Sequence, residues 1–390
     1  MLKRAVGVVG LFLAFSWLSY AQTIPQYSIK AQLHPIEGEI EVEQRIVFTH
    51  NESTPLNEVY LVDWNHAFSS TESPLAKRLI EEYTRSFYLS SKSKRGETQI
   101  SVIEVNGEEI KWERVENQLD QIRLSLSTPL EAKTPLRLGL KYRLKLPDSK
   151  FTGYGKVDDS TFILENTFLR LARRSQGEWE LISHLNLEDH PGGTGNYTVD
   201  FQLPAGLKIQ SNLRTKAAQF NQASTYYTFQ AKQQKNLQFF VGSDFGFTPF
   251  KFGEKEIVSN LDNNDLSEGA LRFSLMKVVD YLHKNVGQYP HDRILLSQTK
   301  YEKRPFYGLT LVPDFLKPFP RQLEFEVKAL NTYLYQYLYE TLNLHPREDF
   351  WLLGGLHSYL MMQYVQEHYP NQKLLDLIMR QPIARFFLRK

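Results

Sequence analysis

The stretch Leu136-Arg-Leu-Gly-Leu-Lys-Tyr-Arg-Leu-Lys-Leu146 places an apolar residue at every second position, with mostly basic residues between. Successive side chains of a strand point to opposite faces, so this alternation predicts one face in a core and the other in water. The same period of two runs through most of the chain from Gln26 to about Phe250. Ile40, Val42, Ile46 and Phe48 share one face, with mostly charged residues between them. Asn106-Gly107, between two β-rich runs, reads as a two-residue hairpin turn because both residue types tolerate positive φ. Tyr197-Thr-Val-Asp-Phe-Gln-Leu203 reads as a strand that ends in the turn Pro204-Ala-Gly206. One interruption has helical spacing: Leu75, Leu79, Tyr83 and Phe87, from Pro74 to Phe87, predict a helix capping an end of the sheet.

Past about Asn260 the period changes. Leu271, Leu275, Val278, Val279, Leu282 and Val286 fall on one helical face, and Gly287 ends that helix. Short strands are expected over Arg293 to Thr299 and Phe306 to Val312. Two helices follow, roughly Gln322 to Leu342 and Trp351 to His368. Strands first and helices later indicate an α+β chain of two domains. The expected arrangement is an N-terminal antiparallel β-sandwich over residues 22–250 and a mainly helical domain over residues 251–390.

The first residues read as a secretory leader. Lys3 and Arg4 precede the apolar run Val8 to Trp17, and Ser19-Tyr20-Ala21 offers small residues at the positions a signal peptidase reads. Cleavage is expected after Ala21, giving an exported chain, periplasmic or extracellular, with no membrane span. With no cysteine, disulfides, thiolate metal sites and lipoprotein attachment are excluded. The 46 Lys+Arg against 44 Asp+Glu, two of the bases falling in the leader, leave a mature charge near zero. That balance sets nucleic acid aside. Arg170, Arg173 and Arg174 form the one dense basic cluster, read here as a solvated strand edge or turn.

Four segments in order resemble the aminopeptidase N type of gluzincin zinc metallopeptidases. Tyr197-Thr-Val-Asp-Phe-Gln-Leu-Pro-Ala-Gly-Leu-Lys-Ile-Gln-Ser-Asn212 looks like a strand-turn-strand of that family's β domain, and Leu237-Gln-Phe-Phe-Val-Gly-Ser-Asp-Phe245 like its closing strand. The helix from Glu268 to Val286 with Gly287-Gln-Tyr-Pro290 resembles the entry to the peptidase domain. Pro346-Arg-Glu-Asp-Phe-Trp-Leu-Leu-Gly-Gly-Leu-His-Ser-Tyr359 is similar to the segment carrying Trp-Leu-Asn-Glu-Gly. The resemblance implies a thermolysin-like peptidase domain. In it, two His of an HExxH helix and a Glu on the next helix hold Zn²⁺, and the Glu beside the first His acts as general base.

With Gly354 as the third-ligand position, the family spacing leads back across residues 336 to 353 to Tyr335. The HExxH slot is then Asn331-Thr-Tyr-Leu-Tyr335, followed by Gln336-Tyr337, like the family's Gln-aromatic pair. In this register Asn331 and Tyr335 replace the two His, Thr332 the catalytic Glu and Gly354 the third ligand. An amide, a phenol and a bare backbone do not hold zinc at neutral pH. The substrate-amine motif would fall near Lys303-Arg-Pro-Phe-Tyr-Gly-Leu-Thr310, which has no carboxylate, and the family's catalytic Tyr would fall past Lys390. The resemblance thus implies a shortened peptidase domain without zinc or hydrolysis. Such a chain is expected to bind extended peptide or an envelope protein by strand addition at Tyr307, Gly308, Leu309 and Thr310. The alternatives are an active metallopeptidase with ligands among His345, His357 and Glu367 or His368, or a chain with no function of its own.

Other chemistry is discounted. His184, Glu188, Asp189 and His190 carry ligand-type side chains, but a strand would spread them over roughly 20 Å, and solvated loop residues are the reading. His357 and His368 are too far apart to share an ion. Pro191-Gly-Gly-Thr-Gly-Asn196 lacks the Lys-Ser/Thr of a phosphate loop, and no Gly-x-Ser-x-Gly occurs. Asn51-Glu-Ser53 and Asn196-Tyr-Thr198 are glycosylation sequons.

Overall fold

A computed structural model of the chain describes residues 24–187, 193–262, 265–306, 320–345 and 347–371. The expected leader, 1–21, lies outside these residues, as do Glu188, Asp189 and His190, and the second short strand beyond Phe306.

The first half is built on one eight-stranded sheet. In spatial order its strands are Arg214–Phe220, Ser224–Gln234, Gly195–Pro204, Gln26–His34, Glu39–Phe48, Leu136–Lys145, Glu97–Val105 and Glu108–Glu109. The alternation seen in the sequence sets its register. Ile40, Val42 and Ile46 stand opposite Leu144, Tyr142 and Leu138, and all six are buried. A slip of one residue would turn every one of them to water. Gln44 lies on the same buried face, and its side chain spends its capacity on the Leu169 carbonyl and the Tyr142 hydroxyl. The sheet is not wholly antiparallel as expected: Gln26–Gln32 runs parallel to Asn196–Gln202. Parallel neighbours need a long crossover, and the chain between them supplies it.

Two four-stranded sheets lie beside the large one. They contribute Phe162, Leu164, Phe239 and Val241, and Val59, Leu61, Ile122 and Leu124, to one continuous core. Asn106 and Gly107 both have positive φ, as the two-residue turn requires. The first helix, α1 (Pro74–Glu81), starts on the Ser73 side chain and inserts Leu75, Ala76 and Leu79 into the same core. It is shorter than the spacing to Phe87 predicted, because Tyr83 turns left-handed just after it.

The second half has its own core. Helix α2 (Glu268–Asn285) is capped by Ser267 and closed by Gly287, whose φ of +102° suits glycine. After strand Arg293–Leu296 and the short α3 (Gln298–Lys303) come α4 (Arg321–Thr341) and α5 (Phe350–His368). Helices α4 and α5 run antiparallel: Asn331 meets His357, and Glu326 meets Tyr364 further along. Phe250, Ile257, Leu275, Leu330, Leu334, Met361 and Tyr364 are among the residues of this core. A smaller cluster of Phe240, Val258 and Leu295 lies where strands of the two halves meet. The fold is α+β, a β half followed by a mainly helical one. Among the described residues no helix is long and apolar enough to cross a membrane.

Candidate functional site

Helix α4 carries the slot Asn331-Thr-Tyr-Leu-Tyr335 into the interior. Asn331 and Thr332 are buried, and each side chain is committed to the fold. The Asn331 amide donates to the Arg304 carbonyl at 2.9 Å. The Thr332 hydroxyl donates to the carbonyl of Lys328, one turn back, at 2.9 Å. The Tyr335 hydroxyl accepts from the Arg304 guanidinium, which also donates to the Leu187 carbonyl. That guanidinium lies 5.2 Å from the Tyr335 ring centroid and 5.4 Å from that of Phe350, a cation–π arrangement.

Helix α5 closes the site from the other side. His357 lies 3.2 Å from the Asn331 carbonyl through Nε2, so this nitrogen carries the proton. Burial lowers the pKa of the ring. Gly354 lies one turn before His357 on α5. A Cβ there would meet nothing within 4 Å among the described residues. Asn331, Thr332 and Tyr335 line one recess beside Arg304, and Gly354 is not among its lining residues. Tyr307, Gly308, Leu309 and Thr310 lie outside the described residues.

Around the slot is a recess of ≈ 40 Å³ lined by Arg304, Asn331, Thr332, Tyr335, Gln336 and Glu340 among others. It has room for about two or three water molecules, not for a peptide. Beside it, and sharing Tyr335, Tyr339 and Glu340, opens a cleft of ≈ 1600 Å³ between the β half and the helical half. Leu171, Arg173, Arg174 and Trp179 form part of one wall, and Leu342, His345 and Phe350 part of the other.

Glu340 ties the two walls together. Its carboxylate accepts from the Gln234 side chain and from the backbone N–H groups of Lys235 and Asn236 at 3.0–3.1 Å. His291 Nε2 is a further partner at 3.1 Å. The Lys235 ammonium caps the end of α4, donating to the Tyr339 and Leu342 carbonyls at 3.2 and 2.8 Å. Burial pushes its pKa down to about 8. Lys300 of α3 reaches Glu165 of the β half at 2.6 Å.

Two expectations are corrected here. Arg170, Arg173 and Arg174 are not a solvated edge. Arg170 is 3% exposed and donates to Asn166 and the Gly193 carbonyl. Arg173 crosses to the Leu344 carbonyl of the helical half, and Arg174 pairs with Glu52 beneath Trp179. Arg173 and Arg174 line the cleft, and the Arg173 guanidinium satisfies a carbonyl across the joint that an apolar side chain could not. His184 is likewise not a solvated loop residue. It is buried, its ring centroid 4.1 Å from that of Trp64, and its backbone N–H donates to the Asp120 carboxylate at 2.6 Å. Its proposed companions Glu188, Asp189 and His190 lie outside the described residues.

Among the described residues no three His, Cys, Asp or Glu side chains converge as a metal would need. His345 uses Nδ1 to accept from the Glu348 N–H at the start of α5, and His368 contacts its own helix at the Tyr364 carbonyl. Sequence reasoning missed Arg304, Glu340, Lys235 and Lys300. Glu340 alone had a local signal, a charged residue on a helix otherwise rich in Tyr and Leu.

Solved structures with a similar fold include M1 zinc metallopeptidases. The M1 zinc metallopeptidase of Deinococcus radiodurans is 14% identical with a TM-score of 0.53, over 88% of this chain and 70% of that one. A point mutant of that protein matches with the same score and identity over 72% of its length. A two-domain M1 zinc metallopeptidase mutant bound to L-tryptophan matches at 14% identity and a TM-score of 0.52, over 89% of this chain and 72% of that one. At this identity the likeness is one of fold. No sequence-family model matches the chain, and no curated protein matches it.

Proposed function

We propose that this chain is an exported, catalytically degenerate member of the aminopeptidase type, binding extended peptide or an envelope protein without zinc-dependent hydrolysis. One observation carries the reading. At the four positions where the resemblance puts two His, a general base and a third ligand stand Asn331, Tyr335, Thr332 and Gly354. The first three side chains are consumed by contacts to Arg304 and Lys328. A zinc ion needs three or four lone pairs aimed at one point. Here a guanidinium occupies the neighbourhood of Tyr335 instead.

The cleft of ≈ 1600 Å³ is the feature that survives such a loss, since its walls owe nothing to a metal. Its mixture of Arg, Trp, Tyr and Phe suits the backbone and side chains of an extended segment.

The test is elemental analysis of purified, dialysed protein, a thermal melt with and without zinc, and an assay on aminoacyl anilides. No stoichiometric zinc, no zinc-dependent shift and no hydrolysis are expected, together with saturable binding of unstructured peptides that a Phe350→Ala or Trp179→Ala change weakens. One zinc per chain with hydrolysis abolished by a chelator would sink the reading.

A further inference from the structure

The segment from α1 to Arg95, none of whose residues lines this cleft, leaves an unusual surface. Helix α1 and Phe87 anchor it: Leu75, Ala76, Leu79 and Phe87 are buried, and the Phe87 ring meets Phe151 edge-on at 5.0 Å. Between and beyond these anchors the apolar residues point outward. Ile80 is 42% exposed, Tyr88 51%, Leu89 76% and Tyr83 90%.

Two further features set the segment apart. Residues 77–95 hold Lys77, Arg78, Arg85, Lys92, Lys94 and Arg95 against Glu81 and Glu82 alone. The whole chain is only +2, so the rest of it is net acidic. Arg78 is occupied by the two glutamates, and Lys94 faces Asp148 at 4.0 Å. Lys77, Arg85 and Lys92 have no ion pair among the described residues. In addition, the most exposed side chain, Tyr83, sits at φ +60°, where α1 ends with Thr84 N–H bonded to the Leu79 carbonyl. Glycine is the residue that position favours. The sequence instead keeps an aromatic ring there, in water and in a disfavoured backbone conformation.

An exposed apolar tip with basic residues alongside is the chemistry of interfacial membrane docking. Tyr and Leu enter the headgroup layer while Lys and Arg meet lipid phosphates. An acidic protein partner would account for the charge but not for Tyr83, Tyr88 and Leu89 standing in water. We propose that the segment Ile80–Arg95, with Lys77, docks this protein reversibly onto an anionic lipid surface. Arg95 holds the loop in shape: it donates to Ser90 and lies over Phe87 at 5.5 Å. Tyr88 and Leu89 are therefore carried by a fixed turn rather than by a frayed chain.

The experiment is co-sedimentation of the full chain with vesicles of phosphatidylcholine alone and of an equimolar mixture with phosphatidylglycerol, at low and high salt. Two exposed-residue variants accompany it, Tyr83→Ser/Leu89→Ser and Arg85→Glu/Lys92→Glu. All share residues 1–23, so any contribution of the Val8–Trp17 run is common to them, and circular dichroism confirms that each is folded. Binding is expected on the mixed vesicles at low salt, weakened at least about tenfold by either variant and by salt. No preference for the anionic vesicles, or a preference that neither variant reduces, overturns the proposal. Capture of polyglutamate through Arg85 and Lys92 with no vesicle binding also overturns it, in favour of an acidic protein partner.

Discussion

Two residues decide how the β half responds to acid. Asp120 is 1% exposed, and burial pushes its carboxyl up to about 6. The unfolded carboxyl titrates near 4. Between those values the folded chain holds the proton more tightly, so this group's contribution to stability is present below about pH 4 and is lost as pH rises through 6. The amount is about 2–3 kcal/mol. His66 works against it: burial pulls its ring down to about 4, so unfolding takes up a proton below about 6.5 and stability falls as pH drops. Asp120→Asn keeps an acceptor for the His184 N–H but removes the first titration. The variant is expected to match or exceed the wild type in urea midpoint at pH 7.5 and to lose stability more steeply between pH 6.5 and 4. A parallel pH profile for the two proteins would mean that Asp120 is ionised in the fold. The slot gives a second residue-scale expectation. Asn331→Ala leaves the Arg304 carbonyl without its donor, so it should cost about 1–3 kcal/mol while leaving peptide binding in the cleft unchanged. A loss of binding with full stability would instead make Asn331 a ligand-contacting residue.

At the scale of elements, α1 shows both what a sequence reveals and where it stops. Its start was legible, since Ser73 before Pro74 is an N-cap followed by a residue suited to the first turn. Its end was not, because Leu79, Tyr83 and Phe87 keep helical spacing through a left-handed residue. Period alone does not separate a continuing helix from a turn that happens to return side chains to one side. Tyr83→Gly relieves that conformation and should raise stability by about 1 kcal/mol, read as a higher urea midpoint, while weakening vesicle binding. A lower midpoint would show that the ring contributes packing. The sheet was legible for the opposite reason. In Leu136–Lys145 and Glu39–Phe48 a period of two has one solution per face, so boundaries and burial followed directly. The parallel pairing of Gln26–Gln32 with Asn196–Gln202 had no such signal, because both strands read the same whichever neighbour they take. Likewise the slot was assigned to α4 by spacing along one chain. Arg304, which fills it, comes from another element, and nothing in Lys303-Arg-Pro305 announces where a guanidinium will reach.

Across the whole molecule the two cores meet through few apolar contacts. Phe240, Val258 and Leu295 form a small cluster, and around it the joint is polar: Glu165 with Lys300, Arg173 with Leu344, Gln210 with Arg293, and Glu340 with Gln234, Lys235 and Asn236. A polar joint beside a large cleft has two physical consequences. It can hold walls apart without collapsing, because its groups are satisfied where they stand and gain little by closing. It also concentrates the coupling between the halves in a few residues, since each buried partner left alone is costly. Glu340 is the extreme case. It is 9% exposed and receives two backbone N–H groups, one side-chain amide and His291. Glu340→Ala strands those donors together, at a cost of about 3–5 kcal/mol. Because the lost contacts bridge two separately built cores, calorimetry of the variant should resolve two transitions where the wild type shows one. Peptide binding in the cleft should weaken alongside. A single transition at an unchanged temperature would mean that the Phe240 cluster alone carries the coupling, and that the cleft keeps its shape without Glu340.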